Sequence, residues 1–179
     1  MMMATMARSI VAAHLHSACC DLVADVARSH GNVQLRVAGA SMVPVLWPGD
    51  LLTVQSCDPA QLEAGSIIVF RQDGKLIAHR LMRRSGDCPV DSPPDCSTGY
   101  LITRGDARPR LDEPVDPADV VGRVESITRD GRPVDAQPSA WQRLAAAILR
   151  RSEGCTRLFL RLGPGIRKLG VGQASAEVL

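Results

Sequence analysis

A mainly β fold, antiparallel and partly closed, with an N-terminal helix and a basic helical C-terminal arm, is what this sequence predicts. Between Val33 and Arg129, short runs rich in β-branched residues alternate with turn residues, the pattern of strands rather than helices. Two Asp-Gly pairs, Asp73-Gly74 and Asp130-Gly131, stand at the ends of such runs, where a two-residue hairpin turn needs residues that tolerate positive φ. The flanking segments instead carry apolar residues three and four apart, the spacing of one helix face.

In chain order, residues 6–29 read as an amphipathic helix, with Val11, Leu15, Ala18, Cys19, Leu22, Val23 and Val26 on its apolar side and Gly31-Asn32 as its stop. Its other face mixes both signs of charge, which favours a helix packed on the body over one lying on a membrane. Strands are expected at Val33–Val37, Leu51–Gln55, Ser66–Arg71, Leu76–Arg83, Tyr100–Arg104 and Val120–Thr128. The stretch Ser85–Gly99, rich in Pro, Ser, Asp and Gly, reads as a surface loop. After Pro138, Ser139 and Gln142 match a capping box ahead of Trp141, Leu144, Ile148 and Leu149. Gly154 is the expected stop, and a second helix through Leu158 and Leu162 breaks at Gly163-Pro164-Gly165. The expected division is therefore an N-terminal helix over 1–32, a β-domain over 33–137 and a basic arm over 138–179.

Composition sets limits on function. With 179 residues, 45% hydrophobic and 22% charged, the chain is long enough for one domain with a substantial core. Aromatic residues are only 3%, so that core is aliphatic. The net charge of +2 hides an asymmetry: residues 139–179 hold seven basic and two acidic residues, a net +5, against 14 basic and 17 acidic elsewhere, a net −3. A basic arm on a slightly acidic body suits an anionic membrane surface, or a partner, or the body itself. Nucleic acid is not an expected partner, because neither a reading helix nor interleaved aromatics accompany the charge.

No stretch of about twenty apolar residues is present to span a bilayer, since Arg8, His14, His16, Asp21 and Asp25 interrupt the N-terminal segment. The same interruptions argue against a cleaved secretory signal, so a cytoplasmic chain with reduced thiols, peripheral to the membrane at most, is the expectation. Cys19-Cys20 are adjacent in a helix and ill placed to bridge each other. Cys88 and Cys96 bracket a polar loop that a disulfide could close only in an oxidising compartment. No second ligand pair at zinc-type spacing accompanies them, so no metal or other cofactor is expected.

The residues that carry chemistry lie in an ordered series: Ser41-Met42-Val43-Pro44, Gly49-Asp50, Ala78-His79-Arg80, then Arg104-Gly105-Asp106 with Asp112 six residues on. A serine hydroxyl becomes a nucleophile when a base takes its proton, and imidazole serves when a carboxylate fixes its tautomer. The series contains all three groups. Taken singly, each has a blander explanation: a turn serine, a packed histidine, a solvated aspartate.

The wording and order resemble the catalytic core of type I signal peptidases, in the archaeal and endoplasmic-reticulum variant. The matching stretches are Val37–Pro44, Trp47–Leu52, Gly65–Phe70 leading to Ile77–Arg80, Leu101–Asp106 with Asp112, and Val120–Val124, so the likeness covers roughly residues 33–128. It implies Ser41 as nucleophile, His79 as general base, and Asp106 and Asp112 as candidate acidic partners, between which spacing does not choose. It also implies a backbone oxyanion site at Ser41, with a second donor near Gly39. Bacterial signal peptidases and the self-cleaving SOS-repressor proteases carry lysine at the histidine position. Lys75 is four residues away, about 13 Å along a strand, which disfavours a serine/lysine dyad. Those peptidases are normally membrane-anchored, a point of departure here.

The resemblance implies a serine endopeptidase that cleaves an extended leader or precursor peptide. The competing readings are a non-catalytic peptide-binding module and a self-cleaving regulator. The second is disfavoured by the short segment before Ser41, which has no helix-turn-helix.

Overall fold

The computed structural model describes residues 18–85 and 99–149. Helix α1 occupies 18–30 of the described chain. Seven strands follow: β1 (Asn32–Arg36), β2 (Leu51–Gln55), β3 (Ile67–Gln72), β4 (Lys75–Arg84), β5 (Leu101–Arg104), β6 (Val120–Arg129) and β7 (Arg132–Val134), and then helix α2 (Ala140–Leu149). All strands join one antiparallel sheet in the order β1-β2-β6-β3-β4-β5, with β7 beside the end of β6. The mainly β, antiparallel expectation holds, and the sheet is not closed: its path runs open from β1 to β5.

The hairpin turns form where the Asp-Gly pairs lie. Asp73 and Gly74 have φ of 52° and 68°, and Asp130 and Gly131 have 49° and 78°, the double positive φ that matches the twist of the flanking strands. The first turn registers β3 on β4, and the second registers β6 on β7. β7 was outside the expected strands: it is three residues long with a central Pro133, too short for periodicity to reveal. The expected Gly154 stop, the second C-terminal helix, the Cys88–Cys96 loop and the first turns of the N-terminal helix fall outside the described residues.

Both faces of the sheet are covered in its middle. Ile67 and Val69 of β3 face a cluster with Leu52, Val54, Val121, Val124 and Ile127, which α1 caps with Ala24 and Ala27. Ile68 and Phe70, the alternate residues, face a second cluster with Leu62, Leu81, Leu101 and Val115. Two-sided burial explains why β3 reads as a continuous apolar run rather than an alternating one. Each fully buried large side chain such as Phe70 stabilises by about 1.5–3 kcal/mol.

Candidate active site

Ser41 opens a 10-residue excursion, residues 41–50, ahead of β2 that folds into the body rather than out of it. Met42, Val43, Val45, Leu46 and Trp47 are all at most 4% exposed, and Met42, Val45 and Leu46 join the α1-side core. The base of the excursion is clasped by Val37 N–H to Asp50 O (2.8 Å) and Gly49 N–H to Val37 O (2.8 Å). Its far side is fixed by a buried ion pair. Asp50, with no exposure, accepts from Arg129 Nε (2.9 Å) and Nη2 (2.7 Å) and from the Trp47 N–H (2.8 Å). Arg129 also donates to Val45 O (2.7 Å). This Asp50 clamp was not read from the sequence, where Gly49-Asp50 looks like a turn.

His79 sits mid-way along β4, opposite Ile68, 5% exposed and edge-on to Phe70 with ring centroids 6.3 Å apart. The Ser41 Oγ lies 2.8 Å from its Nε2, and Asp112 Oδ2 lies 2.6 Å from its Nδ1. An ionised carboxylate can only accept, so Nδ1 carries the proton, and Nε2 of the neutral ring accepts from the serine hydroxyl. The three groups form one continuous chain of hydrogen bonds.

Asp112 is held by β5 as well as by the imidazole. Thr103, fully buried, donates its hydroxyl to Asp112 Oδ2 (2.7 Å), and the Asp112 N–H donates to Thr103 O (2.9 Å). Burial pushes the Asp112 carboxyl up, but hydrogen bonds from His79 and Thr103, with the positive charges of the imidazole in its protonated form and of Arg108, outweigh it and hold it below the usual carboxylate range. Thr103 escaped sequence reading. Its one signal was a polar residue in the apolar run Leu101-Ile102-Thr103.

Asp106, the other candidate, is elsewhere. Its two oxygens accept from Arg80 Nε (2.9 Å) and Nη2 (2.8 Å), and Arg80 Nη1 donates to Gly65 O (2.7 Å). Successive strand residues point to opposite sides, so Arg80 turns away from the face of His79 and takes Asp106 with it. The pair anchors the loop after β5, whose Ala107 N–H donates to Ser41 O (2.9 Å). Gly105, between them, lies where a Cβ would be 2.6 Å from Ser41 O and 3.0 Å from His79 Nε2, so only glycine fits. Gly39 is exposed, with nothing within 4 Å of the place a Cβ would take. Lys75 is exposed at the hairpin end of β4.

Among the described residues no group of three His, Cys, Asp or Glu side chains could hold a metal ion, and no helix is long and apolar enough to cross a membrane. Cys19, Cys20 and Cys57 are free thiols.

A family model described as peptidase S24-like matches residues 4–91. The chain is similar to peptidase S24-like proteins over that stretch. The match supports the superfamily that joins SOS-repressor proteases and signal peptidases, and with it a protease-type function. It carries Ser41 and His79 and ends before Thr103, Asp106 and Asp112. No curated protein matches the chain.

Proposed function

We propose that this protein is a serine endopeptidase of signal-peptidase type in which Ser41, His79 and Asp112 act as nucleophile, general base and orienting carboxylate. The observation that carries the reading is the unbroken contact from Ser41 Oγ through both imidazole nitrogens to Asp112 Oδ2. His79 Nε2 takes the hydroxyl proton as Ser41 Oγ attacks the scissile carbonyl, and returns it to the leaving amine as the acyl-enzyme forms. Water then repeats the sequence to release the second product. The ionised Asp112 stabilises the imidazolium of each transition state and keeps Nδ1 the protonated nitrogen. The backbone N–H groups of Ser41 and a neighbour near Gly39 supply the oxyanion donors. Asp106 positions the loop behind Ser41 through Arg80 and takes no part in proton transfer. The substrate class is an extended leader or precursor peptide.

A serine-reactive phosphonate tests this directly. Mass spectrometry should find the label on Ser41 in the wild type and none in Ser41→Ala or His79→Ala. On a responsive peptide, the two single variants and the double variant should fall to one common floor, because members of a catalytic unit are not additive. A folded wild type that neither labels nor turns over would instead support a peptide-binding module.

A further inference from the structure

Of the six large apolar side chains exposed among the described residues, three belong to α2: Trp141 (41%), Leu144 (65%) and Ile148 (55%). Leu22, Tyr100 and Leu111 are scattered over other elements. The three on α2 are at i, i+3 and i+7, so they share one side of the helix. The helix is held to the body by its other side. Ala146 is buried, Gln142 caps Ser139 N–H (2.7 Å), and its Nε2 donates to Pro44 O (3.4 Å). Pro44 O also accepts from the Trp47 indole (2.9 Å). The apolar side of α2 therefore faces out from the same excursion that begins with Ser41.

An outward apolar stripe needs an occupant, and charge selects it. Arg143 lies on α2, and Arg150 and Arg151 follow it directly in sequence. Residues 139–179 sum to +5 while the rest sums to −3. A second copy of this chain would oppose basic to basic there. An anionic bilayer meets both properties at once, taking an amphipathic helix at its interface with tryptophan at headgroup depth and basic residues toward the phosphates. We infer that α2 docks the protein on anionic membrane through Trp141, Leu144 and Ile148, presenting the Ser41 excursion to substrates held at that surface. The inference stands whether or not Ser41 is catalytic.

The test uses the full chain with vesicles of phosphatidylcholine alone or mixed with phosphatidylglycerol. Cosedimentation should need phosphatidylglycerol and weaken with salt, because exposed charges are screened within about 8 Å at physiological ionic strength. Binding should blue-shift tryptophan emission. Trp47 is buried, so Trp141→Phe should still sediment with vesicles but lose most of the shift. Trp141→Ser/Leu144→Ser/Ile148→Ser should weaken binding by at least about tenfold. If that variant fails to fold, Arg150→Glu/Arg151→Glu gives the second reading, with the same loss expected. Equal partitioning to both vesicle types, undiminished binding by a folded triple variant or by the charge-reversed one, or an emission shift that survives Trp141→Phe would overturn the proposal. So would a triple variant that loses self-association but keeps vesicle binding.

Discussion

Asp106→Ala and Asp112→Asn should produce opposite phenotypes, although both aspartates lie in one motif a few residues apart. Arg80 and Asp106 are 11% and 14% exposed at their side chains and share two hydrogen bonds. Removing the carboxylate leaves a largely buried guanidinium without its counter-charge, which costs about 3 kcal/mol. For a chain of this size that lowers the melting temperature by about 6–12 °C. Turnover per folded molecule should stay within about tenfold of wild type, since each tenfold loss requires about 1.4 kcal/mol of transition-state stabilisation and Asp106 touches no reacting group. Asp112→Asn reverses the pattern. The amide still fills the site and costs about 1 kcal/mol or less, but it permits the wrong imidazole tautomer, for which the expected fall in rate is about 10⁴-fold. Both quantities come from one preparation of each variant: thermal unfolding by circular dichroism, and kcat on a peptide substrate corrected for folded fraction. An Asp106→Ala protein of normal stability whose rate collapses, beside an active Asp112→Asn, would refute the assignment.

Gly105→Ala should lower kcat by about 10²-fold, because the new methyl must displace Ser41 or His79 from their 2.8 Å contact and misplacement near 1 Å has that cost; steady-state kinetics decide it, and a fully active alanine variant would contradict the geometry. Thr103→Val removes a hydrogen bond to Asp112 and should reduce the rate by about tenfold, with Thr103→Ser restoring it. The folded Asp112 carboxyl is held low, so its stabilising contribution is complete above the ordinary value of about 4 and is lost as pH falls through the lower folded value. Without the Thr103 hydroxyl that loss moves to higher pH, which acid-unfolding curves of the Val and Ser variants should show.

The strands were legible because each run contributes β-branched residues and ends in residues with turn chemistry. Asp73-Gly74 and Asp130-Gly131 fold as their dipeptides require. Ser41 and His79 were legible as a candidate pair, since both stand in the ordered series of short matches, and the structure brings them within 2.8 Å. The choice between Asp106 and Asp112 was not, because it depends on strand parity. His79 and Arg80 are neighbours that face opposite ways, and each claims one aspartate. Chain spacing has no access to that, nor to Thr103, whose role follows from β5 lying against the segment that carries Asp112. β7 was hidden by its length.

The ion pair between Asp50 and Arg129 has a consequence for the timing of synthesis. As the chain leaves the ribosome, Ser41 and His79 emerge early, while Arg129 follows Asp50 by 79 residues. Until it arrives, a carboxylate destined for full burial has no counter-charge, and burying it alone is prohibitively unfavourable. The excursion holding Ser41 therefore cannot settle before β6 has been made. The contact that fixes the segment carrying Ser41 is thus among the later ones that synthesis allows.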